Sequence, residues 1–110
     1  MESISTCEEE VFLSIYKLSP DDAALKQIMV TANKEFKHEW KPQTVSTFLA
    51  RLVRKGYLTM IRRGRCCYYT PTILLEEYRL KNMNERIAIL FGGDKIAFKK
   101  CLENMELLEK

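Results

Sequence analysis

One polar stretch of the chain carries residue types that hydrogen-bond to phosphates and to the edges of nucleic-acid bases. Between Lys41 and Gly56 it reads KPQTVSTFLARLVRKG and contains no acidic residue. Hydroxyls can bond phosphates or bases, glutamine can pair with the edge of adenine, and arginine can reach guanine or phosphate. The candidate residues are Lys41, Gln43, Thr44, Ser46, Thr47, Arg51 and Arg54. An amphipathic helix with an ordinary solvated face has a similar composition, so this stretch alone does not decide between the two interpretations.

A second group of cations follows that stretch. Arg62, Arg63 and Arg65 stand around Gly64, as expected at the tip of a hairpin, and arginines there are suited to bind phosphates because each neutralised phosphate releases counterions. Residues 41–74 include seven basic and no acidic residues, whereas the rest of the chain has 11 basic and 15 acidic residues. The positive charge is therefore concentrated in residues 41–74, and the net charge of +3 does not show this. Such a basic segment favours a nucleic-acid-binding surface, although a solvated basic face has the same pattern.

Two helices are predicted before the polar stretch. Thr6 and Glu9 have the spacing of a capping box, so a first helix should begin there, and it should stop at Ser19-Pro20 because proline disfavours helical geometry in the preceding residue. Apolar residues at helical spacing predict a second helix over residues 22–37. The acidic pair Asp21-Asp22 suits the positive N-terminus of that helix.

The polar stretch itself is predicted to be a third helix, followed by a β-hairpin. Pro42 suits the first turn of a helix and Gly56 suits the left-handed position just past its end. The apolar positions form one stripe, made of Val45, Phe48, Leu49, Leu52 and Val53. After Gly56 the pattern changes to alternation, which predicts strands over residues 57–62 and 66–70, with Pro71 ending the second.

Two further amphipathic segments run from residue 72 to Gly92-Gly93 and from there to the end of the chain. Little sequence is left to cover their apolar stripes, and an exposed apolar helix is a liability in a monomer, so a helix from a second copy is expected to cover them. The predicted dimerisation residues are Leu75, Tyr78, Ile87, Leu90, Phe91, Phe98, Leu102 and Met105.

The order helix, helix, helix, hairpin is that of a winged helix-turn-helix domain. The predicted fold is therefore mostly α with a small β-hairpin: a winged-helix domain over residues 1–71 and a C-terminal helical dimerisation region over residues 72–110. In such a domain the third helix enters the major groove of double-stranded DNA, which is about 12 Å wide, and the hairpin tip lies along the backbone or in the minor groove. A winged-helix module that binds a protein instead of DNA has the same order of elements, so this alternative stays open.

Other classes of protein are disfavoured. The N-terminus MESISTCEEE lacks the basic start and apolar run of a signal peptide, and no apolar stretch approaches the roughly 20 residues that span a bilayer, so a cytoplasmic protein is expected. The single histidine, His38, has no nucleophile or metal partner in the sequence, and no glycine-rich phosphate loop is present, so we predict neither an enzyme nor a cofactor.

The adjacent Cys66 and Cys67 are interpreted as structural residues and not as a thiol sensor, and the single tryptophan is also assigned a structural role. The four cysteines, Cys7, Cys66, Cys67 and Cys101, lack the C-x-x-C spacing of metal sites. The neighbouring Cys66 and Cys67 should point to opposite faces of a strand, which separates their sulfurs. Trp40 is interpreted as a core residue.

The run WKPQTVSTFLARLVRKGYL, followed by RRGRCCYYTP, resembles the penicillinase-repressor (BlaI/MecI) family of bacterial regulators. The resemblance covers residues 4–71 most specifically. It implies a homodimeric repressor that binds a palindromic operator near the promoters of β-lactamase-type resistance genes. It also implies that Thr44, Thr47 and Arg51 lie on the DNA-facing helix, and that a membrane sensor peptidase is an indirect partner.

Two departures from the family pattern affect what is expected of base preference and induction. Gln43 stands where the family has lysine and Lys41 where it has a serine cap, so no operator sequence is carried over. Induction in the family involves cleavage of an Asn-Phe bond, and the segment after Gly92-Gly93 reads DKIAFKKCLENMELLEK without one, so this cleavage is not supported. A repressor of a different regulon, such as metal export, with another inducing signal is the alternative.

Overall fold

The computed structural model describes residues 2–108, which form five helices and one antiparallel hairpin in two compact units. The first unit extends to Ile73 and the second begins at Leu74. The elements of the first unit are α1 (Thr6–Ile15), α2 (Leu25–Phe36), α3 (Pro42–Arg54), β1 (Leu58–Arg63) and β2 (Cys66–Pro71). Those of the second are α4 (Leu75–Phe91) and α5 (Lys95–Leu108). The winged-helix order predicted from the sequence is confirmed.

The core of the first unit lies where α1, α2 and α3 meet beneath the hairpin. Each helix contributes apolar residues that recur every three or four positions, which places them on one face. The fully buried apolar side chains are Val11, Phe12, Ile28, Ala32, Val45, Leu49 and Leu52. Burying each large one stabilises the fold by about 1.5–3 kcal/mol, so this core fixes the orientation of α3 against α1 and α2.

Helix α1 begins as predicted, but its cap and its end differ from the prediction. The Oγ atom of Ser5 accepts a hydrogen bond of 3.1 Å from the backbone N–H of Glu8, so Ser5, and not Thr6, is the N-cap. The helix ends at Ile15, before the Ser19-Pro20 pair, in a tight turn. In this turn Leu18 N–H donates to Ile15 O at 3.1 Å, three residues back, and this bond breaks the α-helical pattern.

Helix α2 begins three residues later than predicted because its approach is extended. Ala24 forms an isolated antiparallel bridge with Tyr68, and Tyr69 N–H donates to Ala23 O at 2.9 Å. This contact with β2 holds Ala24 in an extended conformation with φ −106° and ψ 165°. The pair Asp21-Asp22 therefore lies in the preceding turn, outside the first turn of α2, so that part of the prediction is wrong.

The second unit is a helical hairpin that exposes several large apolar side chains among its charged residues. Helix α4 ends at Gly92, whose φ of +58° suits glycine, and the Oδ1 atom of Asp94 accepts bonds from Ile96 N–H and Ala97 N–H at the start of α5. No residue of α5 is buried. Within residues 2–108, no helix has the length and apolar character needed to cross a bilayer.

Candidate nucleic-acid interface

The helix that carries most of the candidate residues, α3, is held by its ends and by one buried face. Pro42 occupies its first turn, where a missing N–H costs nothing. Past its C-terminal end Gly56 has φ +89°, and Tyr57 N–H donates to Leu52 O at 2.9 Å, which satisfies a free carbonyl of the last turn. The start, the end and the buried stripe of this helix thus agree with the sequence prediction, with Phe48 and Val53 half-buried.

The opposite face of α3 presents all of its predicted polar residues to solvent. The exposed side chains are Lys41, Gln43, Thr44, Ser46, Thr47, Arg51 and Arg54. Thr47 Oγ1 donates to Gln43 O at 3.1 Å, whereas within residues 2–108 the side chains of Arg51 and Arg54 make no hydrogen bond or ion pair. Both guanidinium groups are therefore available to an external acceptor. No acidic residue belongs to this helix.

The hairpin presents two of its arginines around a tight turn. Arg63 pairs with Cys66, so Gly64 and Arg65 form a two-residue connection in which only Gly64, with φ +63°, has a positive φ, as in a type II′ turn. The side chain of Arg65 is exposed and makes no hydrogen bond within the described part of the chain. Arg62 is exposed too, and its Nε donates to Gly64 O at 3.1 Å. The tip thus displays cations on a backbone of defined shape.

The third arginine of the hairpin, Arg63, is engaged by an acid that sequence reasoning did not connect with it. Its Nη1 atom lies 2.9 Å from Oδ1 of Asp21, in the loop before α2, and its guanidinium lies 5.1 Å from the centre of the Tyr68 ring. The chain is free of acids from residue 41 to residue 74, but folding brings Asp21 beside the hairpin tip. Nothing in the residue spacing could have revealed a contact over 42 positions.

A nearly buried ion pair anchors the C-terminal end of α3 to α1. The Lys55 ammonium donates to Glu8 Oε1 at 2.7 Å and to Ser3 O at 3.1 Å. Burial of the Glu8 carboxyl raises its pKa, but hydrogen bonds that involve Lys55 and Ser5 outweigh burial, so the pKa lies below its usual range. This pair holds the C-terminal end of α3 against α1. The sequence did not indicate this ion pair, because Glu8 lies on the first turn of α1, far from Lys55 along the chain.

The neighbouring cysteines of β2 differ in exposure. Cys66 is exposed and Cys67 is half-buried, and both are thiols. Tyr69, two residues further along the strand, has a raised pKa because of burial and, secondarily, the proximity of Cys67. Among residues 2–108 no cluster of three or more histidine, cysteine or acidic side chains is arranged to hold a metal ion.

The predicted dimerisation residues fall into two groups by burial. Tyr78 and Ile87 are buried within the single chain, while Leu75, Phe91 and Phe98 are half-buried, the last two in an edge-to-face contact with ring centres 5.8 Å apart. The exposed ones are Leu90, Leu102 and Met105. Further exposed apolar residues of this unit, which lie outside the predicted dimerisation set, are Leu74, Leu80, Met83, Ile89, Ile96, Leu107 and Leu108.

Comparison with known proteins identifies relatives along nearly the whole chain. The family model described as penicillinase repressor matches residues 4–107. A penicillinase repressor from Bacillus licheniformis is 35% identical, and the match covers 97% of this chain and 90% of that protein. The matched range therefore includes both the winged-helix unit and the C-terminal helices.

Two solved structures of a repressor from the same family resemble the fold. The solution structure of the Bacillus licheniformis BlaI monomeric form in complex with the blaP half-operator has a TM-score of 0.55 and 32% identity, over 70% of this chain and 89% of that one. The solution structure of the DNA-binding domain of the repressor BlaI has a TM-score of 0.55 and 31% identity, over 71% and 94% of the two chains. From the family match, the identity and the shared fold, this chain belongs to the penicillinase repressor family of DNA-binding transcriptional regulators.

Proposed function

We propose that this repressor binds a palindromic operator as a homodimer, with α3 in the major groove and the hairpin tip on the sugar-phosphate backbone. The observation that carries the proposal is the uninterrupted acid-free surface of α3, on which every predicted polar residue is exposed. The similar BlaI structure, which is a complex with the blaP half-operator, supports double-stranded DNA as the partner.

The residues of this surface suit different parts of a DNA site. Gln43, Thr44 and Thr47 lie in the N-terminal half of α3, from which side chains reach base edges in the major groove. Arg51 and Arg54 lie in its last turn, where a guanidinium reaches a phosphate or a guanine. Arg62 and Arg65 at the hairpin tip are proposed to contact phosphates, together with Lys41, Ser46 and Arg63. Sequence preference in this proposal therefore comes mainly from the first two turns of α3, and an arginine of the last turn adds to it where it reaches a guanine.

The exposed apolar side chains of the second unit support the homodimer. Helix α5 has no buried residue, yet it carries large apolar groups such as Leu102 and Met105, which are 43% and 54% exposed. A two-fold axis through paired C-terminal helices would remove these groups from water on both copies at once. It would also present two α3 helices to half-sites about one helical turn of DNA, or a multiple of it, apart.

Genes of the β-lactamase type are the proposed targets, with a membrane sensor peptidase as an indirect partner. The relative that is 35% identical is a penicillinase repressor, which supports this regulon. The absence of an Asn-Phe bond from the sequence leaves metal export, with a different inducing signal, as the second candidate. A sensor metallopeptidase gene beside this one would support the first target, and a metal exporter gene would support the second.

Anisotropy with labelled duplexes from the promoter region of the protein's own gene tests DNA binding and its site. Arg51→Ala should weaken binding about five- to 150-fold, the effect of losing one good base contact. Lys81→Ala makes the same change of charge at an exposed residue of α4 and should leave the affinity unchanged. Equal weakening by both variants would show that charge alone, and not the face of α3, determines binding. Light scattering of the wild type should give two chains per particle.

A further inference from the structure

The turn that connects α2 to α3, residues 37–41, is fixed by hydrogen bonds and ring contacts with all three helices of the first unit. Lys37 has φ +57°, and it is the only residue other than glycine with a positive φ among residues 2–108. The backbone N–H groups of Lys37 and His38 both donate to Asn33 O, the second at 3.1 Å. The left-handed Lys37 thus ends α2 and turns the chain abruptly toward α3.

The side chain of Asn33 holds the residue that leads into α3. Its Oδ1 atom accepts a bond of 3.0 Å from Trp40 N–H, and its Nδ2 atom donates a bond of 3.1 Å to Trp40 O. Lys41, the N-cap of α3, makes no side-chain capping bond. The position of the first turn of α3 therefore depends on Asn33, because the usual side-chain cap is missing.

A second set of contacts joins the same turn to α1 and to the middle of α3. The His38 ring stacks on the Trp40 indole with centres 3.9 Å apart and planes at 11°. His38 Nε2 lies 3.0 Å from Oε1 of Glu10 on α1. The other side of the network is Phe48 of α3, whose ring meets the indole edge-to-face at 5.2 Å. Glu10, His38, Trp40 and Phe48 thus form one continuous row from α1 to α3, called the turn clamp below together with Asn33.

We propose that the turn clamp determines how well this repressor distinguishes its operator from other DNA, with Asn33, His38 and Glu10 acting as positioning residues. The inference rests on the proposed function, because it concerns the same face of α3. Hydrogen bonds to base edges need donor and acceptor within a few tenths of an ångström of their ideal separation. Attraction between arginines and phosphates changes far less with such a displacement. A loosened clamp therefore weakens specific binding and leaves non-specific binding in place.

Glu10 and His38 both act on the position of the Trp40 side chain, so a double-mutant cycle on this pair is informative. Glu10 orients the His38 ring, and the ring in turn fixes the Trp40 indole. His38→Ala and Glu10→Ala should each weaken binding to the operator about tenfold, comparable to the loss of one good base contact. The double variant should be no weaker than His38→Ala alone, since both substitutions release the same indole.

The experiment measures binding of the full chain to the tightest promoter duplex and to a scrambled duplex of equal length. The expected result is about tenfold weaker binding to the promoter duplex for each single variant, with the affinity for the scrambled duplex and its salt dependence unchanged. Emission from Trp40, the only tryptophan in the sequence, should change in His38→Ala while the far-UV circular dichroism stays that of the wild type. His38→Gln, which retains a hydrogen-bonding group toward Glu10, should recover part of the discrimination and serves as a second variant if His38→Ala does not fold.

Three results would overturn the proposal: equal losses on both duplexes, additive losses in the double variant, or unchanged discrimination in a variant whose Trp40 emission has shifted. Binding of the wild type to the two duplexes shows whether a negative result contradicts the role of the clamp or the proposed function itself. A wild type that binds both duplexes alike contradicts the proposed sequence-specific function itself. A wild type that discriminates, with variants that discriminate equally well, contradicts only the role of the clamp.

Discussion

Replacing Lys55 by methionine should reveal how strongly the C-terminal end of α3 depends on its ion pair with α1. The substitution keeps the apolar length of the side chain and removes the ammonium group that lies 2.7 Å from Glu8. The side chain of Glu8 is only 4% exposed and that of Lys55 12%, so the carboxylate would be left almost without water or a cation. Loss of one partner from a buried pair costs about 3–5 kcal/mol, and a charge-assisted hydrogen bond about 1.5–3 kcal/mol. Because the Lys55 side chain reaches the surface, we expect a value at the low end of the first range, a decrease of about 3 kcal/mol in the free energy of unfolding.

This loss should depend on pH in a defined direction. In the wild type the pKa of Glu8 lies below its ordinary value of 4.5, so the stabilisation is present above that value and is lost as the pH falls through the lowered pKa. Without Lys55, burial dominates and the pKa of Glu8 rises, so that the variant is relieved of its buried charge as the pH falls. The difference in stability between wild type and variant should therefore be largest near neutral pH and shrink toward and below pH 4.5.

Urea unfolding followed by Trp40 fluorescence measures this difference at each pH. Lys17→Met is the matched control, because it breaks an ion pair of 2.8 Å with Glu35 in which both side chains are exposed, and it should change stability far less. The double variant Glu8→Gln/Lys55→Met should be more stable near neutral pH than Lys55→Met alone, since no buried charge is left unpaired. A loss that is the same at all pH values, or no larger than that of the control, would refute the electrostatic account.

Three further variants test the backbone and the hairpin. Lys37→Gly removes the side chain that disfavours a φ of +57° and should raise the free energy of unfolding by about 0.5–1 kcal/mol in the same urea assay. A lower free energy of unfolding would contradict this expectation. Gly56→Ala forces alanine to φ +89° and should cost about 1–2 kcal/mol; no change would show that the turn after α3 adapts freely. Asp21→Asn releases Arg63 and removes an acidic group beside the hairpin tip. DNA affinity in the anisotropy assay should therefore rise about two- to fivefold, which is the effect of one exposed ion pair. A fall in affinity would show that the contact positions the hairpin instead.

Helix α3 and the hairpin were predictable because each carries several local signals that agree. Pro42 and Gly56 mark the two ends of the helix, and its apolar residues recur at helical spacing throughout. The change to alternating apolar and polar residues after Gly56 indicates the strands. The structure places the glycine at a positive φ and the stripe in the core. The exposure of the polar face follows from that stripe alone, since a helix with one side buried must present the other.

Contacts between residues distant in sequence could not be predicted in this way. The bridge between Ala24 and Tyr68 involves a single residue on one side, so it leaves no alternating pattern, and for this reason the start of α2 was misplaced. The pairing of Asp21 with Arg63 depends on that same bridge, which brings the loop before α2 next to β2. Sequence periodicity identifies faces but does not tell which charged residues meet across them.

The cap of α1 was misassigned for a different reason. Ser5 and Thr6 are neighbouring hydroxyl residues, and each is followed three residues later by a glutamate, so two capping boxes overlap in the sequence. The Ser5 hydroxyl is the one that accepts the bond, while the carboxylate of Glu8 pairs with Lys55. A tertiary ion pair thus gives Glu8 a second role beside that cap, and local sequence contains no trace of it.

The most direct test of the account is the salt dependence of binding to promoter DNA. Five cations of the proposed interface make no ion pair within residues 2–108: Lys41, Arg51, Arg54, Arg62 and Arg65. Each phosphate neutralised contributes about −0.9 to the slope of log K against log salt, so we predict a slope of about −4 or steeper per protomer. The slope should become shallower by about one in Arg65→Ala. A slope near zero, or one that none of these five residues changes, would contradict the assignment of this surface to DNA.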